Sequence, residues 1–134
     1  MNEVVEFLKE NAVQYFATVG LDGKAKVRPF QFMLEKEGKL YFCTNNKKDV
    51  FNEIKNNPYV EVCASSPKFE WLRLNGKVVF SNDLDIKREV IESSSLVKSL
   101  YKNAENPIFE IFYLQEVKAV ISDFSGNPPR EYNL

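Results

Sequence analysis

Apolar and polar positions alternate with two different periods along this chain, and the changes of period mark its elements. Residues 3 to 11 place Val4, Val5 and Leu8 on one face, a helical spacing. From Val13 to Val19 the period becomes two, with Val13, Tyr15, Ala17 and Val19 on one side and Gln14, Phe16 and Thr18 on the other. Leu21-Asp22-Gly23-Lys24 reads as a hairpin turn, and Ala25 to Leu34 as the returning strand. Pro29 within that strand cannot donate to a ladder, so it predicts an edge or a bulge. A third strand covers Lys39 to Thr44. A helix over 47–56 follows, with Val50, Phe51 and Ile54 toward the core, Asn46 as N-cap and Pro58 enforcing its end.

Further strands are predicted over Tyr59–Ala64 and Phe69–Ser81, the second with a kink or bulge at Gly76. Two short helices are expected across 83–93 and 95–102. Closing strands are expected over Ile108–Leu114 and Val117–Asp123, and an irregular tail from Ser125 onward. Short strands joined by tight turns, with one embedded helix, predict a mainly β domain over residues 1–134: a small antiparallel barrel with peripheral helices.

Composition narrows the chemistry. With 18 basic and 19 acidic residues the formal net charge is −1, too balanced for a nucleic-acid-backbone binder. No apolar run reaches transmembrane length, and the acidic amphipathic start is unlike a signal peptide, so a cytoplasmic protein without membrane contact is expected. There is no histidine, which removes Ser-His-Asp and Cys-His catalysis and the commonest zinc ligand; no catalytic residue and no metal site are expected. Cys43 and Cys63, both in predicted strands, are read as reduced thiols, and Cys43 as core rather than redox-active.

The stretch from Val27 to Cys63 carries the candidate chemistry. A strand ending in Thr44 runs through Asn45-Asn46-Lys47-Lys48 into a helix, where the dipole favours an anion. Lysines at a helix start oppose that dipole by about 0.3–1 kcal/mol, and a bound anion would reverse the sign. Lys47 and Lys48 are therefore candidate phosphate ligands, against the alternative of a solvated first turn. Thr44, Asn45 and Asn46 fit either phosphate binding or simple capping, since both use one geometry. Arg28, on the neighbouring strand, is a candidate phosphate donor, against an exposed strand arginine. Trp71 is either a rim aromatic or a stacking wall.

These motifs, Val27-Arg28-Pro29-Phe30, Leu40-Tyr41-Phe42-Cys43-Thr44 and Lys48 through Val60, with a later echo at Leu72–Val78, resemble the pyridoxamine 5′-phosphate oxidase-like family of FMN-binding split barrels. The chain looks closest to the short branch that includes the nitroimidazole-resistance proteins. The resemblance implies a six-stranded antiparallel split barrel of Greek-key type and a homodimer with FMN at the subunit interface. It implies that Arg28, Thr44 and the residues after Thr44 serve the FMN phosphate. The backbone around Pro29 and Phe30 would lie along the isoalloxazine ring. Val27 and Cys43 belong to the same contact set, and Trp71, with Phe124 and Tyr132, would reach the flavin from the partner subunit. The true oxidases hold the substrate phosphate with a lysine where this chain has Met33, and they carry a C-terminal arginine–histidine motif that is missing here. The basic residue usual at the Val50 position is also missing.

The expected function is an FMN-dependent oxidoreductase that reduces a small aromatic acceptor, a nitro compound or quinone, with a nicotinamide cofactor as possible donor. Vitamin B6 oxidation is not expected. The alternative is a non-catalytic flavin or haem carrier or sensor, and deazaflavin remains open in place of FMN.

Overall fold

The computed structural model describes residues 2–134. The chain opens with helix α1 (Asn2–Glu10) and strands β1 (Gln14–Val19), β2 (Ala25–Phe30), β3 (Phe32–Lys36) and β4 (Lys39–Asn45). Helix α2 (Asp49–Asn56) precedes β5 (Tyr59–Ser65) and β6 (Trp71–Ser81). Helices α3 (Leu84–Ser93) and α4 (Ser95–Tyr101) then lead to β7 (Phe109–Ser122) and β8 (Arg130–Asn133).

All strand pairings are antiparallel, in the order β2-β1-β5-β6-β7-β4-β3, with β8 added beside β7. The two outer strands of that order, β2 and β3, are neighbours in sequence, separated only by Gln31. One residue can join both ends of a seven-strand path only if the sheet curls back on itself. The result is a split barrel whose seam lies at Gln31, with Pro29 on an edge strand as its missing N–H requires. The side chain of Gln14 fastens the seam. Its Nε2 donates to the carbonyls of Leu8 at 2.9 Å and Asn11 at 3.2 Å, and its Oε1 accepts from the Phe32 amide at 2.8 Å.

Phenylalanines fill the interior. Phe16 stacks on Phe30 with centroids 4.5 Å apart, and Phe42 on Phe112 at 5.7 Å. A second cluster, including Tyr41, Val90, Val97, Tyr101 and Ile111, glues α3 and α4 to the barrel's exterior. The core side of β1 is therefore the Gln14, Phe16, Thr18 side.

The mainly β split-barrel expectation holds, with particular boundaries corrected. The predicted strand 25–34 breaks at Gln31, where the barrel splits. The two closing strands are one, β7, and the tail is not wholly irregular because 130–133 pairs with 118–121 as β8. Counting β2 with β3 and leaving β8 aside gives the six strands expected from the resemblance. Lys48, not Asn46, is the N-cap of α2, and it makes no side-chain cap bond. Asn46 is drawn away by the β7 side, where its Nδ2 donates to the Pro107 carbonyl at 2.8 Å and to Glu110 at 2.9 Å. On α2 it is Glu53, with Val50 and Ile54, that is buried, while Phe51 is half-buried against Phe80. The bulge at Gly76 stands: the register against β7 shifts between Asn75 and Lys77, and a Cβ there would meet the Gln115 carbonyl at 3.0 Å.

Candidate functional site

Where the seam passes the start of α2, a cavity of about 210 Å3 opens. Arg28, Pro29 and Phe30 of β2 form one side of it, with Gln31 and Met33 beyond the break. Cys43 and Thr44 come from the end of β4, Lys48 and Val50 from the start of α2. Helix α4, capped by Ser94 Oγ accepting from the Val97 amide, closes the far side with Leu96, Val97, Leu100 and Tyr101. The cavity is thus divided. Cations and a hydroxyl stand on the β2, β4 and α2 side, and an apolar wall stands on the α4 side.

Thr44 is 2% exposed, and its Oγ1 is the one buried side-chain polar atom without a partner among the described residues. Such an atom costs about 1–3 kcal/mol when left unsatisfied. Thr44 lines the cavity together with Lys48, the N-cap of α2, which makes no side-chain cap bond, so the first N–H groups of that helix lack intrahelical partners. An unpartnered hydroxyl, a lysine and a helix amino terminus are the donor set that a phosphate monoester takes. The residues present therefore fit the phosphate end of a mononucleotide.

Cys43 is different. Burial pushes its thiol up to about 12, against the opposing pull of the Lys48 charge. The thiol stays protonated at neutral pH and is no nucleophile. Cys63 is exposed, and neither cysteine is in a disulfide.

Of the residues singled out from the chain, the fold brings Arg28, Pro29, Phe30, Cys43, Thr44 and Lys48 together around the cavity. Val27 points outward on β2 and is 66% exposed. Asn45 supports the cavity from outside: its Nδ2 donates to Tyr101 Oη at 3.1 Å, and its Oδ1 accepts from the Lys47 amide at 3.0 Å. The Asn46 amide donates to the Ile108 carbonyl, and the Lys47 side chain is exposed. Trp71 lies at the start of β6, with β5 and β1 between it and β2, against Phe124 at 5.0 Å. Within one chain it does not reach the cavity.

Arg28 arrives already engaged. Its Nη2 donates to Glu53 Oε1 at 2.5 Å, and its Nη1 to Thr18 Oγ1 at 2.8 Å and the Phe16 carbonyl at 3.2 Å. Glu53, Thr18 and the α4 residues were not among the expected site residues. For Thr18 and Glu53 a signal existed, since both are polar at positions whose period points inward. The α4 residues gave none, because nothing local in Leu96 and Leu100 says what they cover.

A larger groove of about 560 Å3 opens over Tyr59, Gly76, Lys77, Glu116 and Lys118. It holds no buried unpartnered group, so the smaller cavity is the better candidate. No cluster of metal-ligating residues occurs among the described residues, and no helix is long and apolar enough to cross a membrane.

The pyridoxamine 5′-phosphate oxidase family profile matches residues 1–123. Among solved structures, a NimC/NimA family protein from Clostridium acetobutylicum is 34% identical, with a TM-score of 0.92 over 100% of this chain and 92% of that one. A pyridoxamine 5′-phosphate oxidase-related, FMN-binding protein from Nostoc punctiforme shares the fold at 18% identity and a TM-score of 0.72, over 97% of this chain and 87% of that one. So does a heme-binding protein from Mycobacterium smegmatis, at 11% identity and 0.74, over 96% of this chain and 56% of that one. No curated protein matches.

Proposed function

The chain belongs to the pyridoxamine 5′-phosphate oxidase family, and on that premise we propose that it is an FMN-binding oxidoreductase of small aromatic acceptors. The observation that carries the proposal is the buried, unpartnered Thr44 hydroxyl beside Lys48. Thr44 Oγ1 would donate to a phosphate oxygen, Lys48 would balance its charge, and the amino end of α2 would add its dipole. FMN, when bound, supplies electron transfer through its isoalloxazine ring. The chain's part is to orient and to exclude water. Pro29 and Phe30 would lie along the ring, and Met33, Leu96 and Leu100 would provide an apolar wall for a flat, uncharged acceptor such as a nitro compound or quinone. The wall carries no cation, so a phosphorylated substrate finds no partner there. A nicotinamide is the proposed donor. The protonated Cys43 thiol takes no part in electron transfer.

The cavity is smaller than the roughly 300–1,000 Å3 of ordinary ligand sites. That supports a homodimer in which a second copy covers the flavin. Phe124, which is exposed, and the half-buried Trp71 beside it, both at a distance from their own cavity, are the proposed covering residues. Tyr132 is less available, because its hydroxyl is bonded to Glu3.

Titration of the purified protein with FMN tests the proposal, followed by anaerobic addition of a nicotinamide donor. Uptake of FMN, bleaching of the band near roughly 450 nm and its return on adding a nitroaromatic are expected. Failure to take up FMN overturns the assignment. Uptake without bleaching favours the second reading, a non-catalytic carrier or sensor. The haem form of that reading draws on the fold shared with the mycobacterial protein and on Met33, Cys43 and Tyr101, which are ligating residue types.

A further inference from the structure

Glu53 is a carboxylate only 7% exposed, on the face of α2 that also buries Val50 and Ile54. A buried carboxylate needs charged or hydrogen-bonding partners. It has both: Thr18 Oγ1 donates to Glu53 Oε1 at 2.7 Å, and Arg28 Nη2 donates to the same oxygen at 2.5 Å. Arg28, which lines the cavity, therefore carries a guanidinium whose charge is already matched inside the protein.

We propose that Glu53 sets the anion preference of the cavity. It offsets Arg28, so that recognition of the cofactor's phosphate falls to Thr44 and Lys48 and is weaker than the residue types alone would give. This inference rests on the FMN reading above. A phosphate within bonding reach of Arg28 lies one guanidinium away from the Glu53 carboxylate. Repulsion over that distance is poorly screened at a buried site.

A contrary effect has to be weighed, because Glu53 also aims Arg28. Two neutral acceptors decide between them. The Phe16 carbonyl and Thr18 hydroxyl hold Nη1 without Glu53. A glutamine at position 53 keeps an oxygen for Nη2, and position 53 also lines a hollow with Asp22, Lys26, Asp49 and Asn52, which offers acceptors for its amide nitrogen. Neutralising Glu53 thus releases charge without releasing the side chain.

The test is a fluorescence titration of FMN and of riboflavin, which lacks the phosphate, with wild type and Glu53→Gln at low and high salt. Glu53→Gln is expected to tighten FMN by about tenfold, leave riboflavin unchanged, and steepen the salt dependence for FMN. Weaker or unchanged FMN binding in a folded Glu53→Gln protein overturns the proposal, as does an equal change for both ligands. Should that variant fail to fold, the double variant Arg28→Met, Glu53→Met replaces the pair with apolar groups of similar length. If Glu53 offsets Arg28, the double variant binds FMN within about threefold of wild type; a loss of about tenfold or more means that Arg28 is a full phosphate donor, and overturns the proposal. A wild-type protein that binds riboflavin as tightly as FMN overturns the phosphate reading, and this inference with it. A wild-type preference for FMN, combined with weakened Glu53→Gln, overturns this inference alone.

Discussion

Gln14 and Thr44 are buried to the same degree, 1% and 2% exposed, yet the fold treats them in opposite ways. The amide of Gln14 makes three hydrogen bonds that tie α1, β1 and β3 across the seam. The hydroxyl of Thr44 makes none, in a residue that lines a cavity together with a lysine. A buried polar group without a partner lowers stability, so its persistence points to a use outside the folded chain alone. The seam uses its polarity in structure, and the cavity holds a hydroxyl that the folded chain leaves without a partner. Between them stands Arg28, half committed: paired to Glu53 on one side and lining the cavity on the other.

Matched substitutions break this comparison if it is mistaken. The largest effect is expected at Gln14→Met, which keeps length and removes the amide. The Leu8 carbonyl and Phe32 amide would then be buried without partners, at about 3 kcal/mol. Urea unfolding of the ligand-free variant measures it. A loss below about 1 kcal/mol would mean that the seam is held by packing, such as Phe32 against Phe42, and not by the amide.

The seam also shows where reading the chain succeeds and where it stops. Local features were readable: the Asp22-Gly23 hairpin, the α2 segment ended by Pro58, and the Gly76 bulge. So was the succession from Thr44 to Lys48, because strand, turn and helix follow one another directly. What was missed depends on distant partners. Gln115 and Glu116 look like a turn between two strands. They are in fact the far side of the Gly76 irregularity, with Lys77 opposite Gln115 and Asn75 opposite Lys118, and β7 runs through. Strand β8 exists because its residues pair with β7, and Arg130 reaches Glu3 across 127 positions of sequence. The same non-locality hid the apolar wall of α4 and the engagement of Arg28 by Glu53.

A second polar group, the half-buried Cys43, sharpens the contrast at the cavity itself. The Cys43 thiol is tolerated without strong partners because it can remain neutral. Its pKa is raised from 9.0 to about 12 by burial, so the folded chain keeps the proton after the unfolded chain has lost it. The resulting stability is fully present below about pH 9 and is lost as pH rises toward 12, with a slope of up to about 1.4 kcal/mol per pH unit. Cys43→Ala lacks this dependence. Between pH 7 and pH 10 the stability difference between wild type and variant should therefore shift by about 1.4 kcal/mol in the variant's favour. Parallel pH curves would show that the thiol titrates normally, and that the cavity floor is wetter than the structure implies.

The smallest expected effect bears most directly on function, because it has opposite signs in two measurements. Thr44→Val replaces the hydroxyl with a methyl group of similar size. That exchange normally destabilises a core threonine by removing a bonded hydroxyl. Here the hydroxyl has no partner, so the ligand-free variant should be as stable as wild type or more stable by up to about 1 kcal/mol. FMN affinity should fall by about tenfold, the equivalent of one charge-assisted hydrogen bond, while riboflavin affinity stays unchanged. Lower stability in the ligand-free form would reveal an internal partner for Thr44 and erase its difference from Gln14. Equal losses for FMN and riboflavin would place the phosphate elsewhere. A stabilised protein with a selective loss of FMN would show that the two buried groups serve different ends, one closing the barrel and the other waiting for a phosphate oxygen.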